Sequence, residues 1–117
     1  MAKKEAVLYG IKTCGTCRKA LNWLSDEDIP HRYHDLRKDG LDAATLKSWV
    51  DEVGWEPLLN RKGLTWKKIP DSQKAGLDKA KATKLMLDNP TVIKRPIIDR
   101  GGKRTVGFDD AVKKALA

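Results

Sequence analysis

Two cysteines three positions apart, Cys14 and Cys17, stand just after a short apolar run and at the opening of a helical stripe, and no other cysteine occurs in the chain. A disulfide closing so short a loop removes little entropy from the unfolded state, so the pair is a poor structural staple. Thiols at this spacing suit redox chemistry or metal binding instead. Ala6-Val7-Leu8-Tyr9, ended by Gly10, reads as a buried strand that feeds the Cys14-Gly15-Thr16-Cys17 turn. Beyond the turn, Cys17, Ala20, Leu21 and Leu24 recur at i, i+3, i+4, i+7, with Arg18, Lys19 and Asn22 off that stripe. The pattern puts Cys17 on the buried side of a helix and leaves Cys14 at its N-terminal end.

The rest of the chain supplies a frame for this unit. Pro30 ends the helix, and His31 to Leu36 reads as a second strand, parallel to the first. Asp42 is a candidate N-cap with Leu41 and Leu46 placed as a hydrophobic staple, and Leu46, Trp49, Val50 and Val53 carry the next helix to Gly54. Trp55 to Pro70 is irregular, apart from a turn of helix at Pro57-Leu58-Leu59, and Trp66 is expected to pack back on the core. Another capped helix is predicted from Asp78 to Asp88, with Ala82, Leu85 and Met86 inward and Asn89-Pro90 as its stop. Pro96-Ile97-Ile98-Asp99, the Gly101-Gly102 turn and Arg104-Thr105-Val106 read as an antiparallel hairpin, followed by a helix from Asp109. The expected architecture is α/β: a four-stranded mixed sheet with flanking helices, in one domain over residues 1–117.

A thiol attacks only as thiolate, and a cysteine of ordinary pKa is about 3% ionised at pH 7. Lowering the pKa to about 6.5 raises that to roughly three quarters and requires about 2.7 kcal/mol of preferential thiolate stabilisation. The free N–H groups at a helix N-terminus supply ~0.3 to 1 kcal/mol, reaching about 2 in favourable geometry. The helix alone therefore falls short, and Lys12 and Arg18 are the flanking cations that would make up the rest. On this reading Cys14 is the nucleophile that forms a mixed disulfide, and Cys17 or an external thiol resolves it. Zinc is the rival, since His31 and His34 follow the cysteines in an order that imitates a C2H2 site. That spacing is one residue too close, and three positions along a strand point to opposite faces, so no metal is expected.

A chain of 117 residues with 24 Lys and Arg against 16 Asp and Glu carries a formal +8, which favours anionic partners. The basic residues are read as spread along the chain without a nucleic-acid motif, so a solvated surface is expected rather than nucleic-acid binding. No apolar run is long enough to cross a membrane and no secretory leader is evident, so the expected location is cytoplasmic. No apolar surface stripe is evident either, which makes a monomer the expected state.

Tyr9-Gly10, Cys14-Gly15-Thr16-Cys17-Arg18-Lys19-Ala20, His34-Asp35-Leu36, Leu58-Leu59-Asn60-Arg61 and Lys94-Arg95-Pro96-Ile97-Ile98 occur together in this chain. These segments resemble the arsenate reductase-like (ArsC/Spx) family, with the YffB-like branch the nearest in appearance. The resemblance implies a thioredoxin-like fold with a helical insertion at about residues 42–90. It also implies a glutathione-dependent thiol reductase with Cys14 catalytic, glutathione as co-substrate and no tightly bound cofactor. Arg95 then precedes a proline expected to be cis, Pro96, and Arg61 lies near a second active-site arginine. Arginine offers a fixed fork to carboxylates and oxyanions, and the backbone beside such a proline can present hydrogen-bonding groups to a thiol substrate. The third arginine of true arsenate reductases falls at Gly107, which points away from arsenate and towards glutathione or a protein thiol. The alternative implied by the same resemblance is an Spx-like redox-sensing regulator that contacts RNA polymerase without turnover.

Overall fold

The computed structural model describes residues 4–116. In chain order its elements are β1 (Ala6–Gly10), α1 (Gly15–Asp26), β2 (His31–Asp35), α2 (Ala43–Val53), α3 (Trp55–Leu58), α4 (Leu64–Lys68), α5 (Asp71–Lys74) and α6 (Lys79–Asp88). They are followed by a 3-10 turn at Pro90–Val92, then β3 (Ile97–Arg100), β4 (Lys103–Val106) and α7 (Asp110–Leu116). The chain divides into two compact units, residues 1–39 with 95–117, and residues 40–94.

The first unit is a mixed sheet in the order β2-β1-β3-β4. β1 runs parallel to β2, with Tyr9 opposite His34, and antiparallel to β3, with Tyr9 opposite Ile97. β3 and β4 form the expected hairpin, in which Gly101 and Gly102 take φ of +63° and +82°. Both central residues of this two-residue turn need left-handed backbone, which glycine adopts without a Cβ clash. Ala6 and Leu8 of β1 and Ile98 of β3 make one core cluster with Cys17, Ala20 and Leu24 of α1 and Val112 and Leu116 of α7. Period two along the strands and the i, i+3, i+7 stripe on α1 thus meet on one face of the sheet. With the parallel β1–α1–β2 crossover this is a thioredoxin-like α/β fold.

α1 stops where Asp28 turns left-handed at φ +53°, while the Ile29 N–H returns to the Leu24 carbonyl at 2.9 Å. Asp109 caps α7 by accepting from the Val112 N–H at 2.9 Å. In the second unit, Asp42 accepts from Thr45 N–H at 2.7 Å and Asp78 from Lys81 N–H at 2.8 Å, so both caps fall where the sequence puts them. α2 lies against α6 and buries Leu46, Trp49 and Val50; α6 buries Ala82, Leu85 and Met86. Residues 55–70, expected to be irregular apart from a helical turn at Pro57-Leu58-Leu59, form α3 over part of that turn and a second short helix, α4, and α5 follows them. Trp66 is half-buried rather than in the core, because two cations hold it: the Arg61 guanidinium carbon lies 5.9 Å and the Lys74 ammonium 4.9 Å from its ring centre.

Candidate active site

The strand that precedes the cysteines sets their positions. Gly10 ends β1 buried, and the chain turns so that the Cys14 N–H bonds the Ile11 carbonyl at 3.1 Å. Cys14 takes the N-cap of α1 with extended backbone, φ −83° and ψ 115°, and its carbonyl accepts from Arg18 N–H at 3.2 Å. The residue is half-buried, with its sulfur at the open end of the helix.

Cys17, one turn later, is 1% exposed within the core cluster. It fits because of Gly10: a Cβ there would stand 2.5 Å from the Cys17 sulfur and 3.2 Å from its Cβ. A single added methyl is therefore incompatible with this placement of the thiol. The glycine read from sequence as a strand terminator is a seat for Cys17, a role signalled by a glycine preceding, by seven residues, a cysteine on the core stripe.

Sheet topology brings in the third group. Because β1 and β3 are antiparallel with Tyr9 opposite Ile97, the end of β1 that leads to Cys14 lies beside the start of β3. Arg95 stands two residues before that start. The Arg95–Pro96 peptide bond is cis, as expected, and the Pro96 carbonyl accepts from the Gly107 N–H at 2.9 Å, tying this corner to the end of β4. Gly107 holds φ +79°, a conformation that an arginine adopts only with strain, so the position suits glycine and disfavours the third cation.

The two thiols ionise in opposite senses. Partial burial pushes Cys14 up, but the Cys17 N–H and thiol, the hydrogen-bonding Arg95 side chain and its charge outweigh that and bring Cys14 below the ordinary thiol value. For Cys17 burial dominates; against the helping N–H of Ile11, the neighbouring Cys14 sulfur adds to it, and the thiol is pushed up to about 12. The cation brought to Cys14 is Arg95, in place of the flanking Lys12 and Arg18. Arg18 is exposed and its Nε donates to the Lys12 carbonyl at 3.3 Å. Arg61 belongs to the second unit, exposed beside Trp66. Among the described residues no three His, Cys, Asp or Glu side chains group as a metal site would require. His31 Nδ1 lies 2.8 Å from the Ile29 carbonyl, and the His34 ring sits 4.8 Å from that of Tyr9.

The end of β1, the cysteine turn and the cis-proline corner all lie within residues 9–116, the stretch matched by the ArsC family. The chain belongs to the ArsC family. Among solved structures it is similar to a YffB protein, 47% identical with a TM-score of 0.90, covering 96% of this chain and 99% of that one. It is also similar to an arsenate reductase (ArsC) related protein from Brucella melitensis, 44% identical with a TM-score of 0.76, covering 98% and 93%. A global transcriptional regulator Spx from Listeria monocytogenes is 27% identical over 112 residues, 93% of this chain and 85% of the regulator. Within the ArsC family, then, both reductase-related proteins and a transcriptional regulator share the span that carries Cys14 and Arg95.

Proposed function

We propose that this ArsC-family chain is a cytoplasmic, monomeric thiol-disulfide oxidoreductase in which Cys14 is the nucleophile and glutathione or a protein thiol is the partner. The observation that carries the reading is the divergence of the two thiols: Cys14 is favoured as thiolate by Arg95 and the helix start, while Cys17 is held protonated by burial.

The Cys14 thiolate attacks one sulfur of a disulfide, forming a mixed disulfide and expelling the other sulfur as thiolate. Cys17, losing its proton to the expelled thiolate or to solvent, then attacks the Cys14 sulfur. That forms the Cys14–Cys17 disulfide and releases the second half of the substrate as a thiol. Two glutathione thiols reset the pair and leave as oxidised glutathione, so two electrons pass from glutathione to the substrate. Attack of glutathione on the mixed disulfide is the shorter route and bypasses Cys17. In this reading Arg95 steadies the Cys14 thiolate and pairs with a carboxylate of the incoming thiol. Glycine at position 107 supports thiol partners over arsenate, since a small doubly charged oxyanion loses one of its cations there.

The likeness to Spx favours one second reading, in which the cysteine pair is a redox switch that alters contact with RNA polymerase and no turnover occurs. A disulfide-reduction assay with glutathione separates the two. The parent is expected to turn over, Cys14→Ser to be inactive, and Cys17→Ser to carry a glutathione adduct on Cys14 by mass spectrometry after treatment with oxidised glutathione. No turnover with any disulfide would sink the enzyme reading, and an adduct on neither cysteine would remove glutathione as the partner.

A further inference from the structure

Residues 61–74 carry five Lys and Arg against a single Asp, a net +4 of the chain's +8 on an eighth of its length. Residues 94–104 match that net charge, with five Lys and Arg against Asp99, but among the described residues only 61–74 set such a run beside an exposed aliphatic side chain, Leu64. Within the second unit, α4 is anchored through Thr65, whose Oγ1 lies 2.7 Å from that of Thr91, and the chain just after it through buried Ile69. At 100° per residue the opposite face of α4 centres on Lys67, with Leu64 and Lys68 on one flank and Trp66, bearing Arg61 and Lys74, on the other. Leu64 is 74% exposed, the most exposed large hydrophobic side chain among the described residues.

We propose that this outward face of α4 docks an acidic segment of a partner protein that inserts an aliphatic side chain against Leu64. Charge complementarity fixes the sign of the partner, since the surface offers a cluster of cations with little opposing charge. Leu64 selects protein over the other polyanions: an aliphatic side chain gives nothing to a phosphate or a stacked base, and Trp66 already carries two cations on its ring. One leucine on a five-residue helix is likewise too little apolar area to seat in a lipid surface. The cations draw the acidic segment in and the leucine contact holds it, the usual division between association and residence. The surface lies apart in sequence from Cys14, Cys17 and Arg95, so the inference stands whether or not the thiol reading does.

The test is fluorescence anisotropy with a labelled peptide of glutamates interspersed with leucines, its leucine-to-serine counterpart, a single-stranded oligonucleotide and anionic phospholipid vesicles, all at one low ionic strength. Binding of the leucine-containing peptide is expected to weaken about tenfold in Lys67→Glu/Lys68→Glu and about tenfold in Leu64→Ser. It should change by less than about twofold in Lys103→Glu/Lys114→Glu, which has the same net charge but is altered in the first unit. All of these side chains are exposed, and circular dichroism of each variant checks that it stays folded. An equal loss in Lys103→Glu/Lys114→Glu would reduce the effect to net charge and overturn the proposal. So would no binding, indifference to Leu64→Ser, equal binding of the serine peptide, or tighter binding of the oligonucleotide or vesicles.

Discussion

The two units solve different problems with different means. In residues 1–39 with 95–117, reactive groups distant in sequence meet because strands fix them: Cys14 and Arg95 converge through the antiparallel β1–β3 register, and Cys17 reaches its place because Gly10 has no side chain. In residues 40–94, capped helices bury an aliphatic and tryptophan core while the short α4 turns lysines and a leucine to solvent. The first region uses close packing to place a sulfur, where one methyl is too many. The second rests on a buried core under capped helices, where the loss of one cap costs about 1 kcal/mol. Alterations of chemistry and alterations of stability therefore belong to different residues.

Replacing Arg95 is the strongest way to break that division. Arg95→Leu removes a charge-assisted hydrogen bond and a cation from the Cys14 thiolate, a loss of about 1.5–3 kcal/mol, so alkylation of Cys14 at neutral pH should slow by about tenfold to a hundredfold. Rates that matched the parent would mean that the helix start alone holds the thiolate. Gly10→Ala tests the seat of Cys17. Overpacking at this site should lower stability to urea by about 1–3 kcal/mol, and Cys17→Ala in the same chain should restore part of it by removing the clashing sulfur. Unchanged stability would show that the sulfur shifts aside without cost. Asp78→Ala is the smallest change and sharpens the contrast: the loss of one N-cap should cost about 1 kcal/mol in the same urea titration while the alkylation rate of Cys14 stays at the parent value.

Much of the first unit is legible in the chain because local pattern and tertiary role coincide there. The apolar run at Ala6 to Tyr9, the stripe through Cys17, Ala20 and Leu24, and the Gly101-Gly102 turn each carry several residues that agree. The burial of Cys17 follows from that stripe. Features that depend on distant pairing are not legible in this way. Arg95 stands far along the chain from Cys14, and no local pattern joins them; only the family resemblance marked it, whereas adjacency in sequence favoured Lys12 and Arg18. The helices between residues 55 and 74 run four or five residues each, too short for a period of 3.6 to register, and Trp66 in such a stretch looks like a core residue until Arg61 and Lys74 are seen on its ring. Gly10 is visible as a glycine but not as a contact, because a close approach leaves no trace in periodicity.

The unequal ionisation of the two thiols is the centre of the account, and residue-resolved alkylation across pH measures it most directly. The reduced protein is treated briefly with iodoacetamide at a series of pH values, and the label on each cysteine is read by peptide mass spectrometry. Cys14 ionises below the ordinary thiol value, so its labelling should already be at half its plateau at a pH lower than that of a free cysteine. Cys17 should remain unlabelled through the range where a free thiol reacts fully, gaining label only as the pH approaches about 12. Parallel profiles for the two cysteines, or Cys17 reacting at the lower pH, would contradict the assignment of Cys14 as the nucleophile.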